Sequence, residues 1–234
     1  MNANKKTMDD KKRKIVLYNQ PFVLKNRLQA GQLLGQGLKT MQWKDPLVAA
    51  IPRGGLPIAV PIAEELDAEL DMILLKKIGA PGHSEFAIGS VDEKGEVYLM
   101  EYARQINASE EYIRDTALRK VAEMQHQYGP LRRFIPSKDW KNRDVIIVDD
   151  GVATGSSLMT AIRVAKNRLP NRIIAAVPVT PKETMDKIAE LADAVVALMA
   201  PEQFMGSVGF YYQDFTQVTI EEIEHLLHQF NSES

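Results

Sequence analysis

The chain has 234 residues and no cysteine. Disulfides, a thiol nucleophile and thiolate-bound metal are therefore excluded, and any chemistry must run on oxygen and nitrogen groups. No apolar run approaches the ~18–20 residues of a membrane helix. The opening stretch is polar and basic with no apolar segment behind it. It does not read as a secretion signal, and a cytoplasmic protein with a disordered basic tail over residues 1–20 is expected. The formal net charge is only −2, so nothing favours nucleic acid or a membrane surface as partner. There is no internal repeat and no low-complexity segment. Apolar content of 45% is ordinary for one soluble core, which the length also suits.

What is present centres on Val145-Ile-Ile-Val-Asp-Asp-Gly-Val-Ala-Thr-Gly-Ser-Ser157. Its four β-branched residues are too few for a helix and read as a strand buried on both faces, as in a parallel sheet. Asp149 and Asp150 follow where that strand should surface. The small-residue loop Gly151-Val152-Ala153-Thr154-Gly155 comes next. A helix then starts at Ser156 or Ser157, with Leu158, Ile162, Ala165 and Leu169 inward. Strand, glycine loop and helix start make an anion cradle from free backbone N–H groups and the helix dipole. Thr154, Ser156 and Ser157 add hydroxyl donors. The two carboxylates repel an anion but suit neutral hydroxyls or a hydrated cation. A sugar phosphate satisfies both halves. A Walker loop would need Lys after Gly155, and a dinucleotide fingerprint a third glycine.

An upstream run repeats the pattern. A strand over residues 47–51 meets Pro52-Arg53-Gly54-Gly55, then a helix over residues 56–66 with Pro61 inside. The glycines let backbone approach an anion, and Arg53 adds charge. A strand over residues 72–75 ends in Lys76 and Lys77, two further anion contacts. A helix is expected over residues 22–38, with Arg27 as a surface or structural charge. Residues 79–140 form the longest break between parallel strands. They open on a glycine-punctuated flexible stretch, 79–85, followed by a hairpin around residues 92–95 and a helix over residues 109–128. That placement suggests a lid. Strands over residues 172–179 and 194–199 flank a helix opened by the capping box Thr180-Pro-Lys-Glu183. Thr219-Ile-Glu-Glu222 caps a last helix. Alternating strands and helices require a mostly parallel sheet with helices on both faces.

The central run resembles the phosphoribosyl pyrophosphate (PRPP) loop of type I phosphoribosyltransferases. From about Asn26 to Phe230 the chain is similar to a bacterial and archaeal group of predicted phosphoribosyltransferases with no settled acceptor. The stretches that carry this are Ile51-Pro-Arg-Gly-Gly55, Lys77-Ile-Gly-Ala-Pro-Gly82, the central motif and Phe210-Tyr-Tyr-Gln-Asp-Phe215. The resemblance implies a three-layer, doubly wound α/β fold with one antiparallel hairpin. A core over residues 21–200 would carry the 79–140 insertion, and residues 201–234 would form a hood and closing helix. It implies that Asp149 and Asp150 hold the ribose hydroxyls, that residues 153–157 wrap the 5′-phosphate, and that the Arg53 loop meets pyrophosphate on the strand next door. It implies Mg2+, carried mainly by PRPP and reached by Asp149 and Asp150 through water. The implied partners are PRPP and a nitrogenous small-molecule acceptor; homo-oligomer formation stays open.

The resemblance departs at Ala153. Hypoxanthine-guanine enzymes carry an acid there; the Ala-Thr-Gly form resembles adenine and uracil enzymes. An acid or base must come from elsewhere, and Glu85, then Asp214, are the candidates. Phe204, Phe210 and Tyr211 are candidates to stack on a flat acceptor, against the plainer reading that they pack the last helix onto the sheet. A PRPP or nucleotide sensor without turnover, and a sugar-phosphate hydrolase, remain alternatives.

Overall fold

Short runs of β-branched residues and alanine become strands covered on both faces. A computed structural model of the protein describes residues 13–106 and 108–233. Its main sheet holds β1 (Arg13–Val16), β2 (Pro46–Ala50), β3 (Glu69–Met72), β7 (Asp144–Val148), β8 (Arg172–Val179) and β9 (Ala194–Met199). The order is β1-β9-β8-β7-β2-β3 and every pair is parallel. Side chains alternate faces along each strand. Val48, Ala50, Ile146, Val148 and Ile174 face α1 (Arg27–Leu38), α2 (Leu56–Leu66) and α6 (Ile220–Glu233). Leu47, Ala49, Val145, Ile147 and Ile173 face α4 (Ser156–Lys166) and α5 (Lys182–Ala189). The expected three-layer α/β arrangement follows. Among the described residues no helix is long and apolar enough to cross a membrane.

The excursion between β3 and β7 builds a second, antiparallel sheet: β4 (Leu75–Ala80), β5 (His83–Asp92) and β6 (Val97–Leu99), backed by α3 (Glu110–Tyr128). Ile78, Ile88 and Val91 pack with Ala117 and Met124 of α3. Buried Asp71 ties the returning chain to β3. Its carboxylate accepts from Trp140 Nε1 at 2.7 Å, Arg132 Nη1 at 2.6 Å and the Lys138 amide at 3.1 Å. Every partner is a donor, so a carboxylate sits inside without an uncompensated charge.

Several local expectations change. Residues 13–16, expected within the tail, form edge strand β1; residues 1–12 lie outside the described residues. The first helix starts at Arg27, not at residue 22, because Asn26 caps it by accepting from the Gln29 amide at 3.0 Å. The strand expected over 72–75 is cut in two: β3 stops at Met72, and Leu75 opens the second sheet. Lys76 and Lys77 therefore lie on β4, not at the end of a core strand. The expected flexible stretch, 79–85, is the end of β4, a turn at Pro81-Gly82 and the start of β5, so the hairpin becomes a three-stranded sheet. Leu169 lies past the end of α4, exposed and at φ 54°. The Thr180 capping box does not form, since Glu183 turns to Lys187 at 2.6 Å. The Thr219 box does: Thr219 Oγ1 accepts from the Glu222 amide, and the Glu222 carboxylate accepts from the Thr219 amide.

Candidate active site

From β2 the chain passes through α2 to β3 on one side; from β7 it passes through α4 to β8 on the other. The strand order reverses between β2 and β7, and in open α/β sheets ligands bind past the carboxyl ends at such a point. Both glycine loops leave the sheet there. Ile51 donates to Val148 O at 2.8 Å, continuing the ladder past the last paired residues. The Pro52–Arg53 peptide that follows is cis. Gly54 then presses against the second loop: a Cβ there would lie 1.9 Å from Asp150 Oδ2. Only a residue without a side chain permits that approach. Among the described residues, no hydrogen bond or ion pair draws the Arg53 guanidinium away. Its electrostatic neighbour there is Tyr128, at the end of α3.

The second loop is pinned from several directions. Val152 is buried and donates to Val179 O at 2.9 Å. Thr184 Oγ1 donates to Ala153 O at 2.9 Å. Gly151 lies against Val208 of the C-terminal segment. Gly155, at φ 79°, opens α4 in the left-handed region that favours glycine, and no side chain caps the helix. The first-turn amides are thus left for an incoming acceptor. Thr154, Ser156 and Ser157 are exposed beside them.

The two acids differ sharply. Asp149 Oδ1 accepts from the Asp150 amide at 2.9 Å. Burial, then repulsion from Asp150, pushes its carboxyl up to about 8, although Arg27 and that amide pull the other way. Asp150 is held by Arg27, whose Nε donates to Oδ2 at 2.9 Å and whose Nη2 pairs with it at 2.8 Å. Tyr212 OH donates to the Asp150 carbonyl at 2.8 Å. Read as a surface or structural charge from sequence, Arg27 is thus part of the acid pair. A helix-start arginine carries no local mark of a partner more than a hundred residues away.

Comparison with known proteins agrees with this geometry. The family profile described as "Phosphoribosyl transferase domain" matches residues 17–214. The chain belongs to this family. A protein of Mycobacterium tuberculosis, provisionally named a phosphoribosyl transferase in both strain CDC 1551 / Oshkosh and strain H37Rv, is 33% identical over 199 residues. That match covers 85% of this chain but 45% of the relative, so the chain spans about half the length of the curated relatives it matches. The crystal structure of TT1426 from Thermus thermophilus superposes with a TM-score of 0.80 at 40% identity, covering 89% of this chain and 99% of that one.

In this phosphoribosyl transferase domain a cleft of about 350 Å³ opens beside the two loops. Pro52, Leu74, Lys77, Met100, Tyr128 and Ser157 are among its walls. Burial raises the Tyr128 phenol, against the pull of Arg53. Lys76 and Lys77 both reach the cleft, yet each has an acid: Lys76 Nζ is 3.3 Å from Glu123, and Lys77 Nζ donates to Glu85 at 2.7 Å. The Glu85 side chain is 90% exposed, and Lys77 holds its carboxyl below the usual range. Asp214 is also lowered, by hydrogen bonds from the Thr216 amide and hydroxyl. Both acids are held below the usual carboxylate range, whereas burial raises Asp149.

Of the expected stacking residues, Phe210 is exposed and Phe204 stacks on Tyr211 at 5.4 Å. Tyr211 is buried, its hydroxyl accepting from the Met205 amide at 3.1 Å, so it packs the hood. The hood joins the segment before α1. Leu24 donates to Tyr211 O at 2.8 Å, and Gln213 donates to Leu24 O at 2.7 Å. Among the described residues no three His, Asp or Glu side chains gather as a metal cage.

Proposed function

We propose that the protein transfers the phosphoribosyl group of PRPP to a nitrogenous, nucleobase-like acceptor and releases pyrophosphate. One observation carries the reading: at the point of strand reversal, a cationic glycine turn and an acid-bearing glycine turn touch through Gly54 and Asp150. PRPP needs that pairing, because its pyrophosphate and its ribose hydroxyls hang from neighbouring carbons. Asp149 and Asp150 accept from the ribose hydroxyls. The amides of residues 153–157, with Thr154, Ser156 and Ser157, hold the 5′-phosphate. Arg53 and the Gly54 and Gly55 amides stabilise charge on the departing pyrophosphate, where prearranged donors act most strongly. Lys76 and Lys77 join them by exchanging Glu123 and Glu85 for the substrate. Phe210 and Phe204 are the hood rings left to approach an acceptor.

Magnesium fits this donor set. It favours one or two carboxylates, retained waters and substrate phosphates over an all-protein cage; Asp150, and Asp149 once it has lost its proton, offer that much through water. When bound it would neutralise charge on the pyrophosphate. Water must be kept from the ribose carbon, and the β4–β5 hairpin carrying Lys77 and Glu85 stands beside the cleft as the cover.

The test is incubation with PRPP, Mg2+ and a panel of nitrogenous bases, with both phosphate products assayed. Pyrophosphate that appears only with a base supports transfer. Orthophosphate would select a hydrolase, and tight PRPP binding with no product a sensor.

A further inference from the structure

Arg27 spends every nitrogen of its guanidinium at one joint. Nε and Nη2 both take Oδ2 of Asp150, at 2.9 and 2.8 Å, and Nη1 donates to Thr216 O at 2.8 Å. The guanidinium carbon stands 3.9 Å from the centre of the Phe215 ring, and the side chain is only 11% exposed. No described residue hydrogen-bonds to the other Asp150 oxygen, Oδ1. A carboxylate whose two oxygens were equally free could turn about its last bond. Here one oxygen is committed and the other is left in a fixed position.

A second route joins the same segment to the same acid. Tyr212 OH donates to the Asp150 carbonyl at 2.8 Å, and the Tyr212 ring packs on Phe215 at 4.8 Å. The hood thus grips Asp150 by its side chain, through Arg27, and by its backbone, through Tyr212. Phe215 touches both grips.

We infer that Arg27 is a positioning residue through which the seating of the hood aims the free oxygen of Asp150 at the ribose 2-hydroxyl. The inference rests on the pentose reading of the acid pair. It adds that recognition of the sugar hydroxyls depends on a segment about sixty residues further along the chain. Lysine at this position keeps the charge but has no planar fork, so it cannot hold Oδ2, Thr216 O and the Phe215 face together.

The experiment compares binding of ribose 5-phosphate and 2-deoxyribose 5-phosphate by calorimetry. Both carry the phosphate; only one carries the 2-hydroxyl. The wild type should favour ribose 5-phosphate by on the order of tenfold, as for one hydrogen bond to a charged acceptor. Arg27→Lys should bring that preference close to unity, while affinity for the deoxy sugar changes less than about threefold because the phosphate cradle is untouched. Phe215→Leu, which leaves the arginine nitrogens in place, should reduce the preference part-way and carries the test should Arg27→Lys not fold. A full wild-type preference in the folded variants overturns the inference alone. A wild type that binds both sugars equally, or neither, overturns the pentose reading with it.

Discussion

The two glycine loops start alike and end differently. Each follows a buried parallel strand and opens a helix, and they stand side by side on β2 and β7. The loop after β7 is fastened to β8, α5, α1 and the hood. The loop after β2 presents Arg53 without a fastening of that kind. A sugar that stays bound through a reaction needs a fixed mould. A leaving group needs charge that is available when its bond breaks, and an ion pair formed beforehand would have to be broken first. In the proposed reaction the contrast in tethering suits the rigid loop to the pentose and the free cation to the departing anion.

The largest test of that contrast removes the acids. Asp149→Asn with Asp150→Asn should weaken PRPP binding about a hundredfold, the loss of one neutral and one charged acceptor at two hydroxyls. Retained affinity by calorimetry would move the sugar elsewhere. Arg53→Met should lower the rate of pyrophosphate release on the order of a hundredfold. Its melting temperature should stay within about one degree, as for a surface change that breaks no contact. A large fall would mean that Arg53 supports the fold. Gly54→Ala probes where the loops touch. The new methyl would displace the Asp150 carboxylate, costing about 1–3 kcal/mol in a urea melt and weakening PRPP binding about tenfold.

A separate test is on pH dependence. Asp149 ionises at about 8 in the fold, against 3.8 for the free side chain. Between those values the native state holds a proton that the unfolded chain has lost. Stability from this group is thus complete below about pH 4, falls as pH rises through that window and levels off above about pH 8. Asp149→Asn should flatten the decline, so melting temperatures of variant and wild type should diverge in the variant's favour from about pH 5 to about pH 8.5. Parallel curves would show that Asp149 is already ionised in the fold.

The parts of this picture legible in the sequence are those whose chemistry is local. Val145 to Val148 could be little but a buried strand, and the small and hydroxylated residues after it could be little but an anion turn. The Thr219 box was legible for the same reason. What the sequence hid depends on distant partners. Arg27 meets Asp150 across 123 positions. Lys76 and Lys77 looked like a strand end because nothing between Met72 and Leu75 marks a change of sheet. The Thr180 box failed because Lys187, one helical turn on, competes for the same glutamate. Asp149 looked like its neighbour, and only the surrounding atoms show that burial raises the one while Arg27 pairs with the other.

The short strand at the start of the described chain guards a flank. Residues 13–16 pair along β9, whose sequence Ala194-Val-Val-Ala-Leu-Met199 is uncharged and buried throughout. A chain shortened to begin after Val16 would bare that strand's hydrogen-bonding edge, with no lysine, proline or bulge in it to discourage a neighbour. Such a chain should self-associate with rising concentration even while its two glycine loops stay intact.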